Sequence, residues 1–390
     1  MFKVTSSTSA TQNNFIKHDS AMLNQFYGTN DVIPYWVADM DFPIANPITQ
    51  ELQRLVEREV YAYEFDSSRV FSAIARWNET AHNLSLDPNH FVQVPGVLSA
   101  IALLIRQFTQ QGDGVLIQTP VYHQFRRLIE SAGRVVAGNS LKIEDGHYTI
   151  DFDDFEQQLK QGNAKMVLLC NPHNPVGRVW TRSELQTMVD IARRYDVIIV
   201  SDEIHADIVF DAHTFTSIVS LGYEKAVSII GSPAKNFGLN SIANGYIYTD
   251  NDTLYQQIKS TVSSLAIDHG NALTTYATIA AYEKGREWFE GYLQYTQTTV
   301  HWIAEFVASS LPEITMYKPE GTNQIWFDFS KLQLAPNALK SLLVNEAKMG
   351  LTPGAWFGET NPNYYRMNIA VDRAQIQASF ARLHTAIKSL

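Results

Sequence analysis

Val227-Ser228-Ile229-Ile230-Gly231-Ser232-Pro233-Ala234-Lys235-Asn236-Phe237-Gly238 is the stretch on which the reading turns. An apolar run bounded by Gly and Pro reads as a short buried strand. Lys235 then falls on a loop at the end of a core strand. A lysine there is either a solvated surface group or a group kept for use, because burying an unused charge is costly. A partly desolvated lysine loses proton affinity and can form a Schiff base with a carbonyl compound.

Strands and helices alternate on both sides of this stretch. Gly114–Gln118 reads as a strand ending in Thr119-Pro120-Val121-Tyr122, with a helix from about His123 to Ala132. Lys165–Cys170 ends in Asn171-Pro172-His173-Asn174-Pro175-Val176-Gly177. Thr181 with Glu184 three residues on is a capping box, opening a helix that runs to Tyr195. Val197–Ser201 ends in Asp202-Glu203-Ile204-His205, and Gly245–Thr249 adds a further strand. Near-continuous apolar strands alternating with helices predict an α/β fold, a mostly parallel sheet covered on both faces. Ligands of such sheets bind beyond the carboxyl ends of the strands. Tyr122, Asn174, Asp202, His205 and Lys235 all fall at those ends.

The flanks carry further signals. Phe91–Val94 meets the turn Pro95-Gly96, and an apolar helix then runs from Val97-Leu98 through Phe108. A glycine turn opening a helix offers free N–H groups at a positive dipole end, a natural phosphate site. Helices over 48–59 and 70–80 flank Tyr61-Ala62-Tyr63, and residues 1–30 are polar and read as an extended arm. Trp36-Val37-Ala38-Asp39-Met40-Asp41-Phe42 sets two acids in an aromatic loop. It reads as a packed loop with helix-capping acids or as an edge of the active site. Beyond about residue 255 the pattern changes to long helices, a strand at Ile325–Phe329, a helix at Asn337–Lys348, the turn Pro353-Gly354, a strand at Tyr365–Asn368 and a last helix from Ala374. This is a smaller α+β unit. The expected division is an arm with a small-domain segment (1–45), a large domain (46–275) and a small C-terminal domain (276–390).

Composition bounds the function. The 390 residues carry a net charge of −10. Nucleic acid and anionic membranes want basic surfaces, so neither is expected as a partner. The single cysteine, Cys170, excludes an internal disulfide and a cysteine metal cluster and reads as a buried apolar filler. No metal site is expected. The first residues lack an apolar signal core, and no run approaches a membrane span, so a cytoplasmic protein is expected.

An aspartate at one strand end and a lysine at the end of another suggest a cofactor with a basic ring nitrogen and an aldehyde. Pyridoxal phosphate has both. An ionised aspartate keeps the pyridine nitrogen protonated, so that the ring acts as an electron sink. The lysine holds the aldehyde and, once displaced by a substrate amine, can move protons.

Three segments, Asn171–Gly177, Ser201-Asp202-Glu203-Ile204-His205 and Ser232-Pro233-Ala234-Lys235, resemble the signatures of fold-type I pyridoxal-phosphate enzymes of the aminotransferase superfamily. Trp36–Phe42, the histidine at 205 and Pro353-Gly354 through Asn368 resemble the cystathionine β-lyase (C–S lyase) group typified by MalY and PatB. The resemblance covers nearly the whole chain. It implies the aspartate-aminotransferase type of fold, with a mostly parallel seven-stranded sheet in the large domain. It also implies roles. Lys235 would be the Schiff-base lysine and general base, Asp202 the partner of the ring nitrogen, and Asn174 the partner of the ring hydroxyl with His205 beside it. Tyr122 would stack on the ring. Val97, Leu98 and Ser232 would hold the phosphate. Tyr63 would reach the phosphate of a neighbouring subunit in a homodimer with shared sites. Arg366 would bind the α-carboxylate of an amino-acid substrate, with Asp39 at the substrate edge. Read without the resemblance, Arg366 is also open to a surface salt bridge, Tyr122 to a core aromatic and His205 to a satisfied buried histidine. The implied activity is carbon–sulfur β-elimination on cystathionine or a cysteine S-conjugate, with an aminotransferase as the alternative. A regulatory protein that merely kept the fold is disfavoured by the intact Asn174, Asp202, Lys235 and Arg366.

The chain departs from the group's pattern at three places. Asn236-Phe237-Gly238 follows the lysine where the group has Thr or Ser, Phe, Asn. Gly321-Thr322-Asn323-Gln324 replaces a more apolar Gly-Thr-Tyr-Leu, which would make the pocket more polar. Ala243 stands where many aminotransferases carry a phosphate-binding arginine.

Overall fold

Seven strands build the large sheet: β1 Phe91–Val94, β2 Gly114–Thr119, β3 Val135–Ser140, β4 Ala164–Cys170, β5 Ile198–Asp202, β6 Ala226–Ile229 and β7 Gly245–Tyr248. The computed structural model describes residues 1–4, 15–64, 67–162 and 164–390. The strand order is β1-β7-β6-β5-β4-β2-β3. From β6 through β3 every pairing is parallel, while β7 runs antiparallel to both neighbours. Alternate residues feed two separate cores. Leu116, Val167, Leu169 and Ile199 join one, and Val115, Met166, Leu168, Val200 and Val227 the other. Burial on both faces is why these strands are apolar at nearly every position. Cys170, the last residue of β4, is buried as expected.

Parallel register carries the strand ends to one edge. Cys170 lies opposite Asp202, and Asp202 opposite Ile229. The loops after β2, β4, β5 and β6 therefore open side by side. The expected capping box is present: Glu184 N–H donates to Thr181 Oγ1 at 3.2 Å and Thr181 N–H to Glu184 Oε2 at 2.8 Å. A second, antiparallel sheet joins Thr315–Tyr317, Gln324–Asp328, Tyr364–Asn368 and Thr352–Pro353 in that order. It carries Arg366 on a strand buried at all five positions.

Three expectations need correction. The first 30 residues are not simply an extended arm. Ile16–His18 forms a 3-10 turn and Ser20–Tyr27 an α-helix, capped by Asp19, whose carboxylate accepts from Met22 N–H. That cap and a glycine in the left-handed region at position 28 are the local signals that start and stop this helix. Residues 5–14 of the expected arm lie outside the described residues. The helix expected over 337–348 is α-helical only over Pro336–Ser341. It widens over Leu342–Glu346, where Ala347 N–H reaches back to Leu342 O. Finally, β3 and the helix Phe152–Lys160 were not foreseen. Edge strand β3 is only partly covered, so its alternation is blurred by exposed positions.

The loop after β4 is locked onto the second sheet at Gly177. Its carbonyl accepts from Glu320 N–H at 2.8 Å and Gly321 N–H at 3.1 Å. Its φ is +76°, and a Cβ there would lie 2.5 Å from Pro319 Cβ and 2.8 Å from Pro319 Cα. Gly177→Ala combines a left-handed backbone with a clash against backbone, and should destabilise the fold by about 1–3 kcal/mol. A thermal melt with an unchanged midpoint would contradict this packing.

Candidate functional site

A cavity of ≈ 500 Å³ opens at the carboxyl ends of the parallel strands. Tyr122, Asn174, Asp202, His205 and Lys235 line it, as do Val97, Leu98 and Ser232. Arg366 enters from the second sheet. Nine of the expected site residues thus meet in one place, although they run from Val97 to Arg366 in the sequence.

Asp202 is buried, and among the described residues the one hydrogen bond to its side chain comes from Ile204 N–H at 3.2 Å. Burial pushes its pKa up to about 7, against the Ile204 bond and the charge of Lys235, with Glu203 adding to the rise. Neighbouring Glu203 faces away into the protein, where Ser217 Oγ, Ser228 Oγ and Ile218 N–H donate to it at 2.7–2.9 Å. The two adjacent acids therefore differ sharply. Glu203 is satisfied by the fold, and Asp202 is left for a cation in the cavity.

Lys235 Nζ donates to Ala38 O at 2.6 Å and to Asn240 Oδ1 at 3.3 Å. Burial lowers its pKa to about 8, with Arg366 lowering it further and Asp39 and Asp202 opposing. The amine is therefore partly deprotonated and nucleophilic near neutral pH.

Arg366 is buried and has no salt bridge among the described residues. Its Nη1 donates to Asn174 Oδ1 at 3.1 Å and its Nη2 to Trp36 O at 2.6 Å. Phe357 lies beneath the guanidinium, 4.8 Å from ring centroid to Cζ. This is not a surface salt bridge. A buried guanidinium without a counter-ion fits an incoming carboxylate. Asn174, expected at a ring hydroxyl, here orients Arg366.

The helix Val97–Phe108 begins at the cavity without a side-chain cap, at Gly96 with φ +89°. Its first N–H groups and Ser232 suit a phosphate. His205 is buried, its Nδ1 has no partner, and burial lowers its pKa to about 3, with Lys235 and Arg366 adding to the fall. An uncapped helix start, an unpartnered imidazole nitrogen, an uncompensated carboxylate and an amine of lowered proton affinity together fit pyridoxal phosphate.

Two expected residues stand outside. Tyr63 is fully exposed and does not line the cavity. Asp39 does not line the cavity either, and its Oδ1 lies 3.2 Å from the buried Lys17 ammonium. The notion of a polar pocket from Asn323 and Gln324 is also corrected. Gln324 Nε2 donates to Asn323 Oδ1 at 2.8 Å and to Asn368 Oδ1 at 3.3 Å, and neither residue lines the cavity. Asn236 likewise turns away, donating to Asp207, which also accepts from Trp77 Nε1 and His82 Nε2 at 2.7 Å. Sequence reasoning did not name His123, Asn240, Thr352 or Trp356 as site residues, yet all line the cavity, and Trp36 and Ala38 line it from the loop for which an active-site edge was one of the two readings.

The family model for aminotransferase class I and II matches residues 63–383. The chain belongs to this family. The matched span holds every expected site residue except Asp39. Cystathionine beta-lyase PatB of Bacillus subtilis is 30% identical over 365 residues, covering 93% of this chain and 94% of the relative. Protein MalY of Escherichia coli is 30% identical over 368 residues, with the same two shares. The crystal structure of cystalysin from Treponema denticola, which contains a pyridoxal 5'-phosphate cofactor, superposes with a TM-score of 0.93 at 27% identity, covering 100% of this chain and 99% of that one. The resemblance drawn from the three sequence signatures is thereby borne out, and so is the aminotransferase-type fold.

Asp202 gives a stability test. Its pKa is raised on folding, so its ionised form costs free energy that accumulates as pH rises from about 4 to about 7. Asp202→Asn keeps the acceptor for Ile204 N–H and removes that cost. The cofactor-free variant should therefore be more stable than cofactor-free wild type at pH 8, by about 2–4 kcal/mol. The gap should shrink toward pH 4. A variant that melts lower at pH 8 would mean that Asp202 is not held against its own burial.

Proposed function

We propose that the protein is a pyridoxal-phosphate-dependent carbon–sulfur β-lyase, acting on cystathionine or another cysteine S-conjugate to release a thiol, pyruvate and ammonia. The observation that carries this is the buried, counter-ion-free Arg366 guanidinium in the same cavity as Lys235 and Asp202. PatB bears the name cystathionine beta-lyase, which supports the reaction type.

When bound, pyridoxal phosphate supplies an electron sink that stabilises negative charge at the substrate's Cα. Asp202 would hold a proton on the ring nitrogen by its negative charge. The Val97 helix start and Ser232 would bind the phosphate, and Tyr122 would pack against the ring. The Arg366 fork fixes the α-carboxylate, which sets the direction of the Cα–H bond. Lys235 Nζ, once free, takes the Cα proton as general base. The β-sulfur then departs as thiolate, and the released aminoacrylate hydrolyses to pyruvate and ammonia.

The exposed Tyr63, with Val56, Val60 and Tyr61 also exposed around it, supports a homodimer in which this segment meets the neighbouring site. No helix among the described residues is long and apolar enough to cross a membrane. We place the enzyme in the cytoplasm, with a large cofactor-binding domain over 46–275 and a small domain over 276–390.

An aminotransferase would use the same residues up to removal of the Cα proton. The two reactions separate in one assay of pyruvate, thiol and oxoacid from a panel of sulfur amino acids. The lyase forms pyruvate and thiol in equal amounts with no oxoacid acceptor present. Strict dependence on an acceptor would overturn the proposal. Within that assay Lys235→Ala should abolish nearly all turnover. Arg366→Ala should cost about 2–5 kcal/mol in kcat/KM, the usual loss on leaving a buried charge unpaired. Unchanged kinetics for Arg366→Ala would place the carboxylate site elsewhere.

A further inference from the structure

Lys17 lies outside every sequence signature, yet it is among the most buried side chains in the protein, at 1% exposure. Its Nζ donates to Asp41 Oδ1 at 2.9 Å and lies 3.2 Å from Asp39 Oδ1. Its backbone carbonyl accepts from Trp36 Nε1 at 3.1 Å. A buried ammonium is retained only when paired, and here two carboxylates of one short loop pair it.

That loop touches both working cations of the cavity through its main chain. Ala38 O accepts from Lys235 Nζ at 2.6 Å, and Trp36 O accepts from Arg366 Nη2 at 2.6 Å. From the other side Asn368 Nδ2 donates to Val37 O at 2.8 Å and Asp39 O at 2.7 Å. Two carboxylates in one loop repel each other, and Lys17 is the cation between them.

Resting on the lyase reading above, we propose that Lys17 is a positioning residue of this active site: clamped between Asp39 and Asp41, it holds the Trp36–Asp41 loop where its carbonyls fix Lys235 and Arg366, and it offsets the loop's negative charge toward Lys235. The charged and titratable groups that face Lys235 are Asp39 from this loop, Asp202 at the end of β5 with His205 after it, and Arg366 from the second sheet. His18, beside Lys17, is held toward its neutral form by burial against the pull of Asp41. Without Lys17 the field of Asp39 and Asp41 on Lys235 Nζ loses one opposing charge, leaving that of Arg366, and favours the protonated amine more strongly.

The test is a pH titration of the holoenzyme, read both as the absorption change of the bound cofactor and as kcat/KM. Lys17→Met should move the transition to higher pH by about half a unit or more, and Asp39→Asn, which keeps Lys17 paired with Asp41, should move it to lower pH. Lys17→Arg should restore the wild-type position. Opposite shifts separate a charge clamp from a general loss of structure, which would not change sign between the two variants. Should Lys17→Met fail to fold, Asp39→Asn and Lys17→Arg still decide. A wild-type profile in Asp39→Asn or in a folded Lys17→Met, shifts of the same sign, or no rescue by arginine overturns the proposal. If wild type makes no pyruvate from any sulfur amino acid, the lyase reading fails while the absorption titration still tests Lys17.

Discussion

The site depends on one uncompensated charge. Asp202 ends a strand in the middle of the sheet, where burial penalises its ionised form, and among the described residues it has a single N–H donor. Its neighbour Glu203 receives three donors from its surroundings. The protein thus satisfies one acid fully and leaves the next one wanting a cation. Arg366 is the mirror case, a buried guanidinium held by neutral acceptors and left wanting an anion. A cofactor with a basic nitrogen and a substrate with a carboxylate supply what each lacks. Ligand binding is then coupled to stability, because both costs fall when the cavity is filled.

The Trp36–Asp41 loop joins these charges to the lysine. It comes from near the chain start, yet it is held by Lys17 on one side and Asn368 on the other. Gly238 packs against it as well, since a Cβ there would meet Met40 Sδ at 2.8 Å. The lysine loop, the small sheet and the N-terminal turn therefore share one joint. A shift of any of them moves the carbonyls that position Lys235 and Arg366.

Much of this was legible in sequence because parallel strands impose a simple rule. Residues at successive carboxyl ends become neighbours, so Tyr122, Asn174, Asp202 and Lys235 could be placed together from strand positions alone. Arg366 needed the family resemblance, since nothing local ties its strand to the large sheet. Lys17 gave no signal, because a lone lysine in a polar stretch reads as solvated. Asp39 was noticed, but its direction was not readable. It pairs with Lys17, a partner 22 positions upstream, and does not line the cavity. Asn323 and Gln324 misled for the same reason: composition shows polarity, and only packing shows which way a side chain turns.

The account stands on Asp202 being held for the ring nitrogen, and cofactor affinity tests this most directly. Equilibrium binding of pyridoxal phosphate would be compared with that of an analogue carrying carbon in place of the ring nitrogen, in wild type and in Asp202→Asn. A charge-assisted contact contributes about 1.5–3 kcal/mol, so wild type should prefer the true cofactor by roughly tenfold or more. Asp202→Asn should bind the two nearly alike. An undiminished preference in the variant, or none in wild type, would contradict the role assigned to this carboxylate.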